Sequence, residues 1–130
     1  MSDATKIAVA VVLQNGCVLV GRRAKQAVDA AGYHEFPGGK VEPDESPEAA
    51  AARECLEETG VAIWVQRLLE RTTSCAANGL LDILFFEAEP HHGCHEPRLP
   101  FAWTPIAKLP ALSFPAANAG VIATLVQGGS

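Results

Sequence analysis

The patterning of this chain predicts an α/β (α+β) fold in which a mixed central sheet is sandwiched between helices. Three observations carry that prediction. A valine-rich apolar run at Ile7–Leu13 has the look of a strand buried on both faces. An alanine-rich stretch, Ala49–Thr59, carries helix signals at both ends. Two more strand-like runs then lead to a second helical stretch at Ala117–Val126.

Taken in order, Ile7–Leu13 is followed by Asn15-Gly16, the strongest short hairpin signal, and Cys17–Gly21 returns as a second strand. Arg22–Gly32 is polar, rich in small residues and without period, so it is expected to be a loop. Glu35-Phe36-Pro37-Gly38-Gly39 is expected to be a strand end running into a tight turn. In the irregular segment that follows, Ser46 suits an N-cap and Pro47 the first helical position, and Glu48 complements the positive end of the helix dipole. The helix is expected to bury Ala49, Ala52, Cys55 and Leu56, with Gly60 closing it as the C′ residue. Val61–Leu69 and Leu80–Ala88 are two more strands, joined through Ser74–Gly79. Glu89–Pro100 is a loop holding His91, His92 and His95, which are expected to be exposed because no second ligand group accompanies them. Phe101–Thr104 suggests a short strand and Pro105–Leu109 a turn or short helix. With no repeat, low-complexity tract or linker, residues 1–130 are read as a single domain.

Composition narrows the function. An apolar fraction of 48% supports a globular core and argues against disorder. No apolar run reaches membrane-spanning length, and the N-terminus lacks the basic-then-apolar order of a secretory signal. A formal charge of −5 argues against binding a nucleic-acid polymer, although a nucleotide whose phosphates arrive with metal remains compatible. Cys17, Cys55, Cys75 and Cys94 are spread singly, with no metal-type spacing; Cys17 and Cys55 fit small buried hydrophobes, and a reducing cytoplasm is expected.

The chemistry concentrates between Gly39 and Val61. Glu54, Glu57 and Glu58 stand at i, i+3 and i+4, which places them on one helical face. Like charges so placed repel by about 0.2–0.5 kcal/mol per pair, so the cluster implies a cation. A hard divalent ion with oxygen ligands fits, with Mg²⁺ bridging to substrate phosphates.

The segment Gly39, Glu45, Arg53-Glu54-Cys55-Leu56-Glu57-Glu58-Thr59-Gly60-Val61 resembles the Nudix box, G-x5-E-x7-R-E-U-x-E-E-x-G-U, where U is bulky and aliphatic. Every fixed position is filled, and Cys55 is a mild apolar departure at an aliphatic position. The resemblance implies a Nudix α/β/α sandwich and hydrolysis of a pyrophosphate bond in a nucleoside diphosphate linked to another group. It further implies metal ligation by Glu54, Glu57 and Glu58 with the Gly38 carbonyl, orientation of these carboxylates by Arg53, and support from Glu45 to the loop or an outer metal. Glu96, in the loop before the last strand, falls where the family often places an extra ligand or the base; Glu54, Glu57 and Glu96 are all candidates for that base. Mg²⁺ is the expected cofactor, with Mn²⁺ as its substitute.

A second likeness narrows the branch. Tyr33–Glu42, Arg22-Arg23-Ala24 and Phe114-Pro115-Ala116-Ala117-Asn118 are similar to MutT-type members. Carried over, Arg23, Phe36 and Asn118 would hold an oxidised guanine nucleotide, Arg23 on phosphate, Phe36 on the purine and Asn118 on the base edge. Oxidation at C8 turns N7 of guanine from an acceptor into a donor, a change that a fixed carboxamide can read. The bland readings are a helix N-cap for Asn118, a core residue for Phe36 and a solvated side chain for Arg23. The chain departs from the MutT pattern at Val28-Asp29, where a histidine is expected, and His34 is the nearest one. No proline lies between Pro47 and Pro90, and Tyr33 is the single tyrosine, so marks of ADP-ribose and dinucleoside polyphosphate hydrolases are missing. The expectation is therefore a MutT-like hydrolase converting 8-oxo-dGTP to 8-oxo-dGMP and pyrophosphate, cleaning the nucleotide pool before incorporation into DNA, as a monomer or homodimer in the cytoplasm. A broader dNTP or CTP pyrophosphohydrolase is the alternative within the class, and a non-catalytic Nudix module that senses a nucleotide is the alternative outside it.

Overall fold

A computed structural model describes residues 4–23, 32–77, 79–92 and 96–128. The strands are β1 (Thr5–Gln14), β2 (Cys17–Arg22), β3 (His34–Glu35), β4 (Gly38–Lys40), β5 (Ile63–Ala76), β6 (Gly79–Pro90) and β7 (Ala102–Pro105). The helices are α1 (Pro47–Thr59) and α2 (Ala119–Gly128), with 3₁₀ turns at Ile106–Ala111 and Ala116–Asn118. The main sheet runs β3-β2-β1-β6-β5, with β4 also on β1 and β7 on β2. β1 and β6 are parallel while the other pairs are antiparallel, so the sheet is mixed.

β1 is the axis of the molecule, and its apolar run serves both faces. Ala8, Ala10 and Val12 pack with Leu84, Phe86 and α1 on one side. Val9 and Val11 pack with Ile83, Phe85, Phe36 and α2 on the other. The β1–β2 hairpin turns at Asn15 (φ 52°) and Gly16 (φ 77°), the left-handed pair that a type I′ turn requires.

Both ends of α1 follow the expected chemistry. The Ser46 hydroxyl accepts from the Ala49 N–H at 3.0 Å, Pro47 opens the helix, and Gly60 (φ 81°) donates back to the Leu56 carbonyl. The buried stripe is rotated from the expected one. Ala50, Ala51, Cys55 and Thr59 face the sheet, while Ala49 is exposed and Leu56 is half exposed. Thr59 can take a buried place because its hydroxyl donates to the Cys55 carbonyl and accepts from the Val61 N–H.

Three other elements differ from expectation. Gly38-Gly39 is not a tight turn but part of β4, paired antiparallel with Val9 and Ala8. A Cβ at Gly38 would stand 2.5 Å from the Ala8 carbonyl oxygen, so only glycine lets the strand lie this close. β5 and β6 extend well past the expected ends, and their register continues to Ala76↔Gly79. The last helix starts at Ala119, because Ala116–Asn118 forms a separate 3₁₀ turn. No helix among the described residues is long and apolar enough to cross a membrane. Val28-Asp29, Cys94 and His95 lie outside the described residues.

Candidate active site

The carboxylate cluster is organised by one guanidinium. Arg53 grips Glu45 with two donors, Nε to Oε2 at 2.6 Å and Nη2 to Oε1 at 2.9 Å. Its Nη1 reaches Glu54 at 3.1 Å and Glu57 at 3.3 Å, and Nη2 also donates to the Lys40 carbonyl at 3.2 Å. A planar fork of this kind satisfies several carboxylates at once, which an ammonium does not. Arg53 holds the Glu45 carboxyl down to about 2, aided by the Glu42 N–H, and the pairing raises Arg53 above its ordinary value. Glu45 also closes its own loop, accepting from the Glu42 N–H at 3.0 Å.

Glu58 lies on the other side of the cluster. It accepts from the Gly38 N–H at 3.2 Å. Burial above all pushes its carboxyl up to about 7, against the Gly38 hydrogen bond and with the charges of Glu54 and Glu35 adding to the rise. Gly39 presses on the Glu54 carboxylate so closely that any Cβ there would collide with it. β4 therefore fixes Glu54 and Glu58 through two glycines.

Among the described residues no three Glu, Asp, His or Cys side chains converge as a finished cation cage; one oxygen each of Glu54 and Glu57 goes to Arg53 instead. The donor set nonetheless fits a hard divalent ion. It consists of oxygens alone, and the raised Glu58 carboxyl is what crowded, partly desolvated carboxylates show where a positive charge belongs. Glu96 is exposed. Its segment is tied to the end of α1, since the Arg98 Nη1 donates to the Glu57 carbonyl at 2.7 Å and its N–H to the Thr59 carbonyl at 2.8 Å.

On the opposite face of the sheet from α1, a pocket of about 430 Å³ opens beside Gly38-Gly39. Arg23, Phe36 and Asn118, which are far apart in sequence, all line it. Phe36 is both core and wall, 5% exposed and stacked on Phe114 with ring centroids 5.0 Å apart. Ile7, Val9, Leu81, Ile83 and Phe85 supply an apolar floor. Asn118 does not cap α2. Its Nδ2 donates back to the Pro115 carbonyl at 3.1 Å. A carbonyl can only accept, so this bond sets the amide's orientation and turns Oδ1 into the acceptor that Asn118 can offer. A second groove of about 390 Å³, between Leu109-Pro110 and α2, is lined by no titratable side chain and offers no comparable chemistry.

Glu35 was not singled out from the sequence. It lines the pocket and pairs with Arg23, Nη1 to Oε1 at 3.2 Å, so the arginine is held rather than simply solvated. Its charge also reaches Glu58, linking the pocket to the carboxylate cluster. No sequence signal announced it, because β3 is only two residues long and shows no alternation. Ser74 and Cys75, at the end of β5, line the same pocket. Cys75 is exposed and Cys17 half-buried, both as free thiols, while Cys55 is buried. His34 is not a lining residue; it packs on Phe114 at 5.9 Å, and its buried Nδ1 has no partner among the described residues. His91 packs in a tilted arrangement on Trp64, ring centroids 4.0 Å apart, at the far end of the β5–β6 pair, and is half-buried rather than exposed, while His92 is exposed.

Comparison with known proteins adds three findings. The sequence profile of the NUDIX domain matches residues 4–125. The chain is 35% identical over 125 residues to the 8-oxo-dGTP diphosphatase of Escherichia coli strain K12, a match covering 92% of this chain and 95% of that protein. It is 43% identical over 60 residues to the CTP pyrophosphohydrolase of the same organism, covering 46% of this chain and 44% of that one. In fold it is similar to the crystal structure of the MutT protein from Methanosarcina mazei Go1, with a TM-score of 0.78 at 19% identity, covering 100% of this chain and 99% of the other.

Proposed function

The chain belongs to the NUDIX family, as a pyrophosphohydrolase acting on phosphoric anhydride bonds, and we propose that its substrate is 8-oxo-dGTP, which it converts to 8-oxo-dGMP and pyrophosphate with Mg²⁺. The observation that carries this reading is the pocket itself. Arg23, Phe36 and Asn118 come together beside Gly38-Gly39, with Oδ1 of Asn118 left as an acceptor. An acceptor is what the N7–H of 8-oxoguanine requires, and unmodified guanine presents an acceptor at the same place. A fully buried hydrogen-bond readout can discriminate by about 10⁴-fold or more, and the half-buried Asn118 would supply part of that.

In this reading Phe36 packs on the purine and Arg23, braced by Glu35, brings positive charge to phosphate. Nudix hydrolases generally use divalent metal ions. Glu54, Glu57 and Glu58 would hold the ion, with the Gly38 carbonyl and Glu96 as further oxygen donors. Bound there, it would neutralise charge on the phosphates and lower the pKa of water. Arg53 keeps Glu54 and Glu57 in one orientation, and Glu45 keeps Arg53 in place. One carboxylate of Glu54, Glu57 or Glu96 takes the proton as water attacks a phosphorus and the anhydride bond between the nucleoside monophosphate and the pyrophosphate group breaks. The role would be to remove oxidised guanine nucleotide before DNA synthesis, in the cytoplasm, by a monomer or homodimer. The local identity to a CTP pyrophosphohydrolase favours, as a second reading, a broader dNTP or CTP activity.

The test is kcat/KM for 8-oxo-dGTP against dGTP, dCTP, CTP and ADP-ribose with Mg²⁺, read as pyrophosphate or phosphate-ester release. A preference for 8-oxo-dGTP of roughly 10²-fold or more, eroded by Asn118→Ala, is expected. Equal turnover of all triphosphates would leave the hydrolase and remove the substrate.

A further inference from the structure

Glu70 lies on β5 in register with Phe85, one of the residues on the pocket floor. Its carboxylate is seated against the backbone of Gly120, where any Cβ would collide with both of its oxygens. Gly120 is the second residue of α2, so the carboxylate packs against the first turn of that helix, which continues the 3₁₀ turn before it through the Ala119 N–H on the Ala116 carbonyl. Asn118 immediately precedes this helix, and only Ala119 separates it from Gly120. The backbone from Ala116 to Gly120 is continuous 3₁₀ and α structure, with the Asn118 N–H bonded to the Pro115 carbonyl at 3.0 Å. The spacing between Gly120 and β5 therefore sets how deep Asn118 reaches into the pocket.

We infer that Glu70 is a positioning residue for base selection: through its contact with Gly120 it seats the start of α2 on the sheet and so fixes Asn118 over the pocket floor. The glycine permits the approach, and the flat end group of Glu70 fills the space between strand and helix. This rests on the proposed substrate for its consequence, while the seating itself is independent of any substrate.

The experiment uses the full chain and three variants, Glu70→Ala, Glu70→Gln and Gly120→Ala, with two readouts. Without nucleotide, hydrogen exchange at the Asn118 side-chain amide and at the Asn118–Val121 backbone amides is expected to quicken by roughly tenfold in Glu70→Ala and Gly120→Ala. Glu70→Gln, which keeps the shape, should recover most of the protection. With nucleotide, the two disruptive variants should raise KM for 8-oxo-dGTP by about tenfold while kcat and the KM for dGTP stay within about twofold. A purely structural role would lower Tm and leave the ratio of the two KM values in place. Unchanged exchange in both disruptive variants overturns the seating. Faster exchange with an unchanged KM ratio, in a wild type that does prefer 8-oxo-dGTP, overturns the link to base selection. A wild type with no such preference removes the proposed substrate and likewise that link, and the exchange result still decides the seating.

Discussion

The carboxylate cluster and the base pocket share a wall at Gly38-Gly39, yet they are built in opposite ways. The cluster comes from one helix, with Glu54, Glu57 and Glu58 within a single turn or so and Arg53 beside them. One guanidinium reaches Glu45, Glu54 and Glu57, all near it in sequence, and β4 closes the cluster with Gly38, Gly39 and the Lys40 carbonyl. The pocket draws on segments far apart in sequence: Arg23 follows β2, Phe36 follows β3, Phe85 comes from β6 and Asn118 from the turn before α2. In the proposed function, charges close in sequence make the reactive centre, and contacts distant in sequence make the choice of substrate. Damage to the first should act on turnover, and damage to the second on discrimination.

The largest expected effect is on the cluster. Glu57→Gln should lower kcat by about 10²–10⁴-fold with nucleotide binding retained, as measured by steady-state turnover beside calorimetric titration. Retention of turnover within tenfold would take Glu57 out of the reaction. Gly39→Ala strikes the shared wall. The new Cβ would displace the Glu54 carboxylate, so kcat should fall by an order of magnitude or more. Gly38→Ala meets the Ala8 and Val9 backbone first, and should chiefly lower Tm, by overpacking worth about 1–3 kcal/mol. Equal effects of the two alanines on kcat and Tm would overturn the separate roles of the two glycines.

The pH dependence of stability separates the two sides of the cluster. Glu45 titrates at about 2 in the folded chain against an ordinary 4.5, so its contribution is present above 4.5 and is lost as pH falls toward 2. Glu58 has the opposite sign. At about 7 against 4.5, its contribution is present below 4.5 and is lost as pH rises through 7. In metal-free melts across pH, Glu45→Gln should flatten the acid limb and Glu58→Gln the limb between 4.5 and 7. Added Mg²⁺ should mimic Glu58→Gln on that limb; a limb indifferent to both would remove Glu58 from the cation site. The smallest effect belongs to the helix cap. Ser46→Ala should cost about 1 kcal/mol in denaturant unfolding and leave KM and the substrate preference unchanged.

How much of this could be read in advance follows the same division. The α1 caps, the hairpin at Asn15-Gly16 and the buried β1 run were legible because each is a local pattern with a local cause. The buried face of α1 was misjudged by one position. Apolar spacing alone favours Leu56 over Thr59, but Thr59 is buried through hydrogen bonds that periodicity does not register. Gly38-Gly39 looked like a turn, since two glycines weaken a strand; the sheet uses them because β4 must lie flush on β1 and on Glu54. Glu35 was invisible because a lone glutamate gains meaning only from the arginine opposite it.

By itself the sequence determined the layered architecture, the helix that bears the carboxylates and their common face, because helix periodicity and capping act over a few residues. Only the tertiary structure decided that Glu35 braces Arg23, that Pro115 aims the Asn118 carboxamide, and that Glu70 abuts Gly120. The first and last of these join segments whose meeting depends on strand order and register across the sheet, and the local Pro115–Asn118 bond gains its meaning only because the sheet brings that turn over the pocket.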